Sequence, residues 1–170
     1  MTGSGSGGGT GNGDGMVGVA LTRIVIREGS EQQYIFLRER DGERGFPIVI
    51  GTAEACEIRR VAAGIETPRP LTHQLAYDSI KALGAELRGI DIVDLRENTF
   101  FARLRLRDGS GEVKEIDARP SDAVALALRA GCPIRVAQSV LDTLQTETPQ
   151  EPEADEPEDE PQGGPEEEPE

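Results

Sequence analysis

The chain has 170 residues, 29% of them charged and 4% aromatic, with no tryptophan and a formal net charge of −14. That length suits a single domain with tails. All 18 Lys and Arg fall between residues 16 and 146 beside 19 Asp and Glu, so the central region is nearly neutral and a global electrostatic argument for a nucleic-acid partner is lost.

Residues 1–15 form a Gly/Ser-rich leader, expected to be disordered, without the apolar stretch of a signal peptide. No run approaches transmembrane length, so the expectation is a cytoplasmic protein with no membrane partner. Residues 16–146 are long enough for one core. Residues 147–170 are mostly Glu, Asp and Pro, which cannot bury a core and should form a disordered acidic tail. Cys56 and Cys132 are too few for a disulfide framework and are expected to be small buried hydrophobes.

In chain order, residues 17–26 and 33–40 read as strands, followed by a short apolar run over 46–50. A helix is expected from Thr52 to Ala63 with Gly64 as its stop, and another from about His73 to Leu83, capped by Thr72 and closed by Gly84. Residues 86–95, 98–107 and 112–118 look like three further strands, with tight turns near Glu97-Asn98 and Asp108-Gly109. Pro120–Ala130 reads as a helix ending at Gly131, then come a short strand over 133–136 and a short helix from about Ser139.

The second half repeats the order of the first. A shift of 67 residues superimposes Asp41-Gly42 on Asp108-Gly109 and Ala63-Gly64 on Ala130-Gly131, which suggests an internal βββα duplication. The expected class is α+β, an antiparallel or mixed sheet with packed helices. The run Ala123–Leu128 is apolar nearly all round, so that helix is either deeply buried or half of a homo-oligomer interface.

Three segments carry candidate chemistry. In Asp117–Asp122 a strand turns into a helix at Pro120, and Asp117 and Asp122 across that corner are candidates to share Mg²⁺ or Mn²⁺ with Glu54 as a third ligand. The structural alternative is that Asp122 stabilises the helix dipole and Arg119 pairs with Asp117. In Arg69–His73, Arg69 would clamp a phosphate and His73, the chain's one histidine, would move a proton; the alternative is an ordinary first-turn histidine. On 98–107, Phe100, Ala102, Leu104 and Leu106 face one way, and Thr99, Phe101, Arg103, Arg105 and Arg107 the other. Phe101, Arg103 and Arg105 suit single-stranded nucleic acid, unless Glu112 and Glu115 neutralise an ordinary solvated face.

Four stretches together resemble the bifunctional nuclease domain family: Gly51–Ala55, Arg69–His73, Asn98–Leu104 and Asp117–Ala127. The resemblance covers about residues 16–143. It implies an α+β fold with duplicated halves and cleavage of RNA or DNA, as described for plant members. The positions matching the family's characteristic motifs are Glu54, Arg69, Thr72, His73, Asp117, Arg119, Ser121 and Asp122, whereas Gln74 stands where relatives often carry Asp. On this basis Asp117, Asp122, His73 and Arg119 are candidate catalytic residues, Arg69 and Ser121 candidate substrate contacts, and Asp117, Asp122 and Glu54 candidate metal ligands. The competing expectation is a non-catalytic binding or regulatory module for an anionic ligand or a partner protein.

Overall fold

Alternating apolar and polar residues build the first three strands, β1 (Met16–Val25), β2 (Gln32–Glu39) and β3 (Gly45–Gly51), which pair as an antiparallel meander. The computed structural model describes residues 15–146, so the assignments of 1–14 and 147–170 as leader and tail lie outside the described residues. Two helices follow, α1 (Thr52–Ala62) and α2 (Thr72–Ala82). A second meander comprises β4 (Glu86–Arg96), β5 (Thr99–Arg107) and β6 (Val113–Ala118), and leads into α3 (Pro120–Ala130). The described chain closes with β7 (Ile134–Ala137) and α4 (Gln138–Thr146).

The seven strands form one mixed sheet in the order β3-β2-β1-β7-β4-β5-β6. The α+β expectation therefore holds, with β7 inserted between the meanders, antiparallel to β1 and parallel to β4. Each meander leads into a helix, but that order does not by itself establish descent from one duplicated unit. Glu97 and Asn98 both have positive φ, 48° and 58°, the conformation that a two-residue hairpin turn requires between twisted strands. Gly131 ends α3 in the left-handed region at φ 63°, where a side chain would be strained.

One face of the sheet makes the core. Val19, Ile35, Leu37, Ile90, Ile92 and Ala102 are fully buried there, each large aliphatic contributing about 1.5–3 kcal/mol. The helices cover that face: α1 lies on β2 and β3, α3 on β4 and β5, and α4 on β4 and β7. Ala123–Ala127 of α3 are buried within the chain, which accounts for that helix's composition without a subunit interface. The sheet curls so far that Phe46 of β3 stacks on Phe100 of β5 at 5.6 Å between centroids, although four strands lie between them.

Two local expectations fail. Thr72 is the first residue of α2 rather than its cap; Leu71 takes that place and offers no side-chain hydrogen bond. Cys56 is exposed, because α1 buries the face of Ala55 and Ile58, which lie about 100° and 160° around the helix from it. Among the described residues no helix is long and apolar enough to cross a membrane.

Candidate functional site

Three helix beginnings meet at one point. Each is reached from an extended residue, Gly51 before α1, Leu71 before α2 and Arg119 before α3, and none of the three makes a side-chain capping bond. Their first-turn N–H groups and positive dipole ends are thus left to attract negative charge. Glu54 lies in the first turn of α1, His73 in that of α2 and Asp122 in that of α3. Gly51 leaves room for Glu54 to fold back, since a Cβ there would collide with the Glu54 carboxylate.

Arg119 is the hub of this cluster. Its Nε donates to Asp122 Oδ2 at 2.8 Å, and its Nη2 donates to Asp122 Oδ1 at 3.1 Å and to Glu54 Oε1 at 2.8 Å. Asp122 Oδ1, which accepts from Arg119 Nη2, also faces His73 Nε2 at 2.9 Å. Burial works to raise the Asp122 pKa, but hydrogen bonds from Arg119 and His73 outweigh it and hold the carboxyl below its ordinary value. Arg119 moves the opposite way, stabilised as a cation first by Asp122 and then by Glu54. An ionised Asp122 can only accept, so His73 Nε2 is the donor and a neutral imidazole carries its lone pair on Nδ1. Arg119 keeps 66% of its side chain exposed, so the hub is open to solvent.

Asp117 falls elsewhere. Asp117 pairs in register with Arg103, and Ala118 with Ala102 of the core, so the Asp117 side chain lies on the face of the sheet away from the helices. The shared site of Asp117 and Asp122 is therefore not formed: one residue of strand separates opposite faces, and the sequence spacing hides that. Among the described residues no three His, Cys, Asp or Glu gather as a metal site. The trio Asp117, Asp122 and Glu54 does not fit a divalent ion; only Glu54 and Asp122 adjoin, bridged by Arg119. Arg69 is exposed, and its backbone carbonyl accepts from Thr67 Oγ1 at 2.7 Å.

Phe101, Arg103 and Arg105 do share the helix-free face, as the alternation predicts. The two arginines are matched rather than available: Arg103 pairs with Glu115 at 2.7 Å and Arg105 approaches Asp91 at 3.2 Å; Arg96 stacks on Phe101. Ser121, only 6% exposed, lines an apolar groove of about 980 Å³ together with Arg119. Its walls include edge strand β3, Phe100, and Leu141 and Leu144 of α4.

Sequence reasoning missed the supports beneath the cluster. One turn along α1 from Glu54, buried Glu57 accepts from Arg60 Nη2 at 2.8 Å and from Arg129 Nη2 of α3 at 2.6 Å. Arg129 also donates to Gln74 of α2, so the same three helices are tied a second time. Burial would raise the Glu57 pKa, yet its bonds to Arg129 and Arg60 leave it lowered. Fully buried Gln33 holds the start of α1, donating to Thr52 Oγ1 at 3.1 Å and to the Ser30 carbonyl at 2.6 Å. The available signal was polar residues at core positions of a strand and a helix, Gln33 and Glu57, which burial obliges to find partners.

The description of one family, the bifunctional nuclease domain, matches residues 35–149. An uncharacterized protein of Mycobacterium tuberculosis is 46% identical over 123 residues, covering 72% of this chain and 73% of its own. Bifunctional nuclease 2 and bifunctional nuclease 1 of Oryza sativa subsp. japonica are 29% and 25% identical over 118 residues, 68% of this chain. Those stretches are 36% of the rice proteins' length, so the chain spans about a third of each. With most of its length, every strand after β2 and all four helices inside the matched region, the chain belongs to the bifunctional nuclease domain family.

Proposed function

We propose that this chain is a nuclease cleaving RNA or DNA phosphodiesters at the cluster of Glu54, His73, Arg119 and Asp122. The observation that carries the reading is the 2.9 Å contact between His73 and Asp122, residues 49 positions apart, at the meeting of three uncapped helix starts. Asp122 orients the imidazole and leaves Nδ1 to move a proton, as general acid–base catalysis at phosphorus requires. Free N–H groups of the helix starts suit the phosphate oxygens, and the open side of Arg119 suits the charge that grows on them. With one histidine, one of the two proton transfers falls to His73 and the other to solvent.

Mg²⁺ or Mn²⁺ belongs to the proposal through Glu54 and Asp122 alone, in competition with Arg119. Two carboxylates plus substrate phosphate are a usual Mg²⁺ environment, and the ion would supply charge neutralisation and an activated water. A metal-induced rise in melting temperature that Glu54→Gln removes would support this role, and no rise at millimolar metal would count against it.

The test of the function is cleavage of end-labelled RNA and DNA oligonucleotides by purified protein. Asp122→Asn and His73→Gln should each lose the activity while remaining folded. Wild-type rates in both variants would assign cleavage to other residues or to a contaminant. One observation favours the second reading, a non-catalytic anion-binding module: Glu54, His73, Arg119 and Asp122 are already mutually paired. That reading requires no cleavage by the wild-type protein and a lower melting temperature in Asp122→Asn.

A further inference from the structure

The helix-free face of the sheet is divided by charge pairing. On β4–β7 the outward arginines are matched: Arg103 with Glu115 at 2.7 Å, Arg107 with Glu86 at 2.6 Å, and Arg135 with Asp91 at 2.7 Å. On β1, β2 and β3 the outward positions, read from the strand register, contain no Asp or Glu at all. Acidic residues of this half lie in the turns at either end, Glu28 and Glu31, Asp41 and Glu43, or face the helices, as Glu39 does beside Arg44.

Three exposed arginines occupy or border this half without an ion pair to any described carboxylate: Arg23, Arg38 and Arg40. Their setting is flat, because the residues beneath are small. Arg38 is registered opposite Ala20, and a Cβ added to Gly18 would meet the Arg40 Cδ at 3.6 Å. Aromatic planes accompany them on the same face. The Arg23 guanidinium lies 4.1 Å above the Phe36 ring, and that of Arg27 lies 5.6 Å above Tyr34.

We propose that this β1–β2 half of the sheet binds single-stranded nucleic acid. Tyr34, Phe36 and Arg38 alternate along β2, placing neighbouring side chains about 7 Å apart, close to the repeat of an extended strand's phosphates. Arg38 and Arg40 neutralise phosphates, while the Arg23–Phe36 stack and Tyr34 offer planes for unpaired bases. Duplex bases keep their faces stacked inside the helix, so the surface selects single strands. The inference rests on the nuclease reading only for the class of polymer, and it adds a holding surface on the sheet side opposite the helices.

The experiment reads binding rather than cleavage. A fluorescein-labelled 20-nucleotide oligo(dT) is titrated with the full chain by anisotropy, across a salt series. Replacing Arg23, Arg38 and Arg40 together by Gln should raise Kd at least about tenfold at low salt and flatten the log K against log salt slope by about 1.4. All three side chains are exposed, so melting temperature should not move, and Arg103→Gln with Arg107→Gln should change Kd by less than about twofold. Wild-type affinity and slope in the triple variant overturn the proposal. So does a duplex of equal length that binds as tightly as the single strand. A synthetic peptide of residues 147–170 competing as strongly as oligo(dT) also overturns it, marking the face as a seat for the chain's own acidic segment. Cleavage lost in Asp122→Asn with binding intact leaves the proposal standing, and binding intact in the triple variant removes it without touching the cleavage reading.

Discussion

Two polar clusters join the same three helices, and they differ in one physical variable, access to water. Glu54, His73, Arg119 and Asp122 meet at the helix starts with the Arg119 side chain 66% exposed. Glu57, Arg60, Arg129 and Gln74 meet deeper in the helical layer, with Glu57 and Arg129 side chains only 7% and 11% exposed. A buried charge that loses its partner is stranded in a poor solvent, whereas an exposed one is rehydrated. The comparison teaches that the deep cluster holds the helices together and the shallow one is free to exchange a partner for another charged group.

The sharpest test is to separate the two by substitution. Asp122→Asn should lower cleavage by about 10²–10³-fold, because the imidazole loses its ionised acceptor, while denaturant unfolding moves by less than about 1 kcal/mol. Glu57→Ala should do the reverse. It leaves Arg129 and Arg60 without their carboxylate and should cost about 3 kcal/mol in unfolding free energy, with the rate per folded molecule largely kept. If Asp122→Asn unfolds the protein and Glu57→Ala does not, the assignment of roles is inverted.

A smaller effect is expected from Arg119→Lys. Lysine keeps the charge but cannot make the paired bonds to Asp122 and Glu54, so about a tenfold loss of cleavage should follow, with Kd for oligo(dT) unchanged. Equal rates for the two proteins would remove the guanidinium from the account.

Acid stability provides the mildest probe. Asp122 and Glu57 both have folded-state pKa values below their ordinary ones. Below about pH 4.3 the unfolded chain therefore binds protons that the folded chain still refuses, and stability falls as pH drops through the folded values. Above that window the contribution is complete and flat. Melting temperature from pH 2 to 7 should show this loss, and Glu57→Gln should make it shallower; a curve identical to wild type would mean that Glu57 is not held ionised.

How far the residues foretold this arrangement depends on the range of the interaction. Alternation on 98–107 correctly separated Phe100, Ala102, Leu104 and Leu106 from the arginine side, because a strand's period of two is a local property. Pro120 and Gly131 marked the ends of α3 for equally local reasons. The place of Asp117 is equally local, since its register with Arg103 turns it away from Asp122. The matched state of Arg105 was hidden, because its partner Asp91 lies on the neighbouring strand β4.

By itself, the amino-acid sequence determined the order of strands and helices, the apolar faces and the residue types available for chemistry. These follow from steric propensity and from burial acting over a few neighbours. Tertiary structure alone decided that Glu54, His73 and Asp122 meet, that Asp117 does not join them, and which arginines keep a carboxylate. Those outcomes depend on how the sheet curls and how three helices converge on it, and charge pairing across such distances leaves no period in the chain to read.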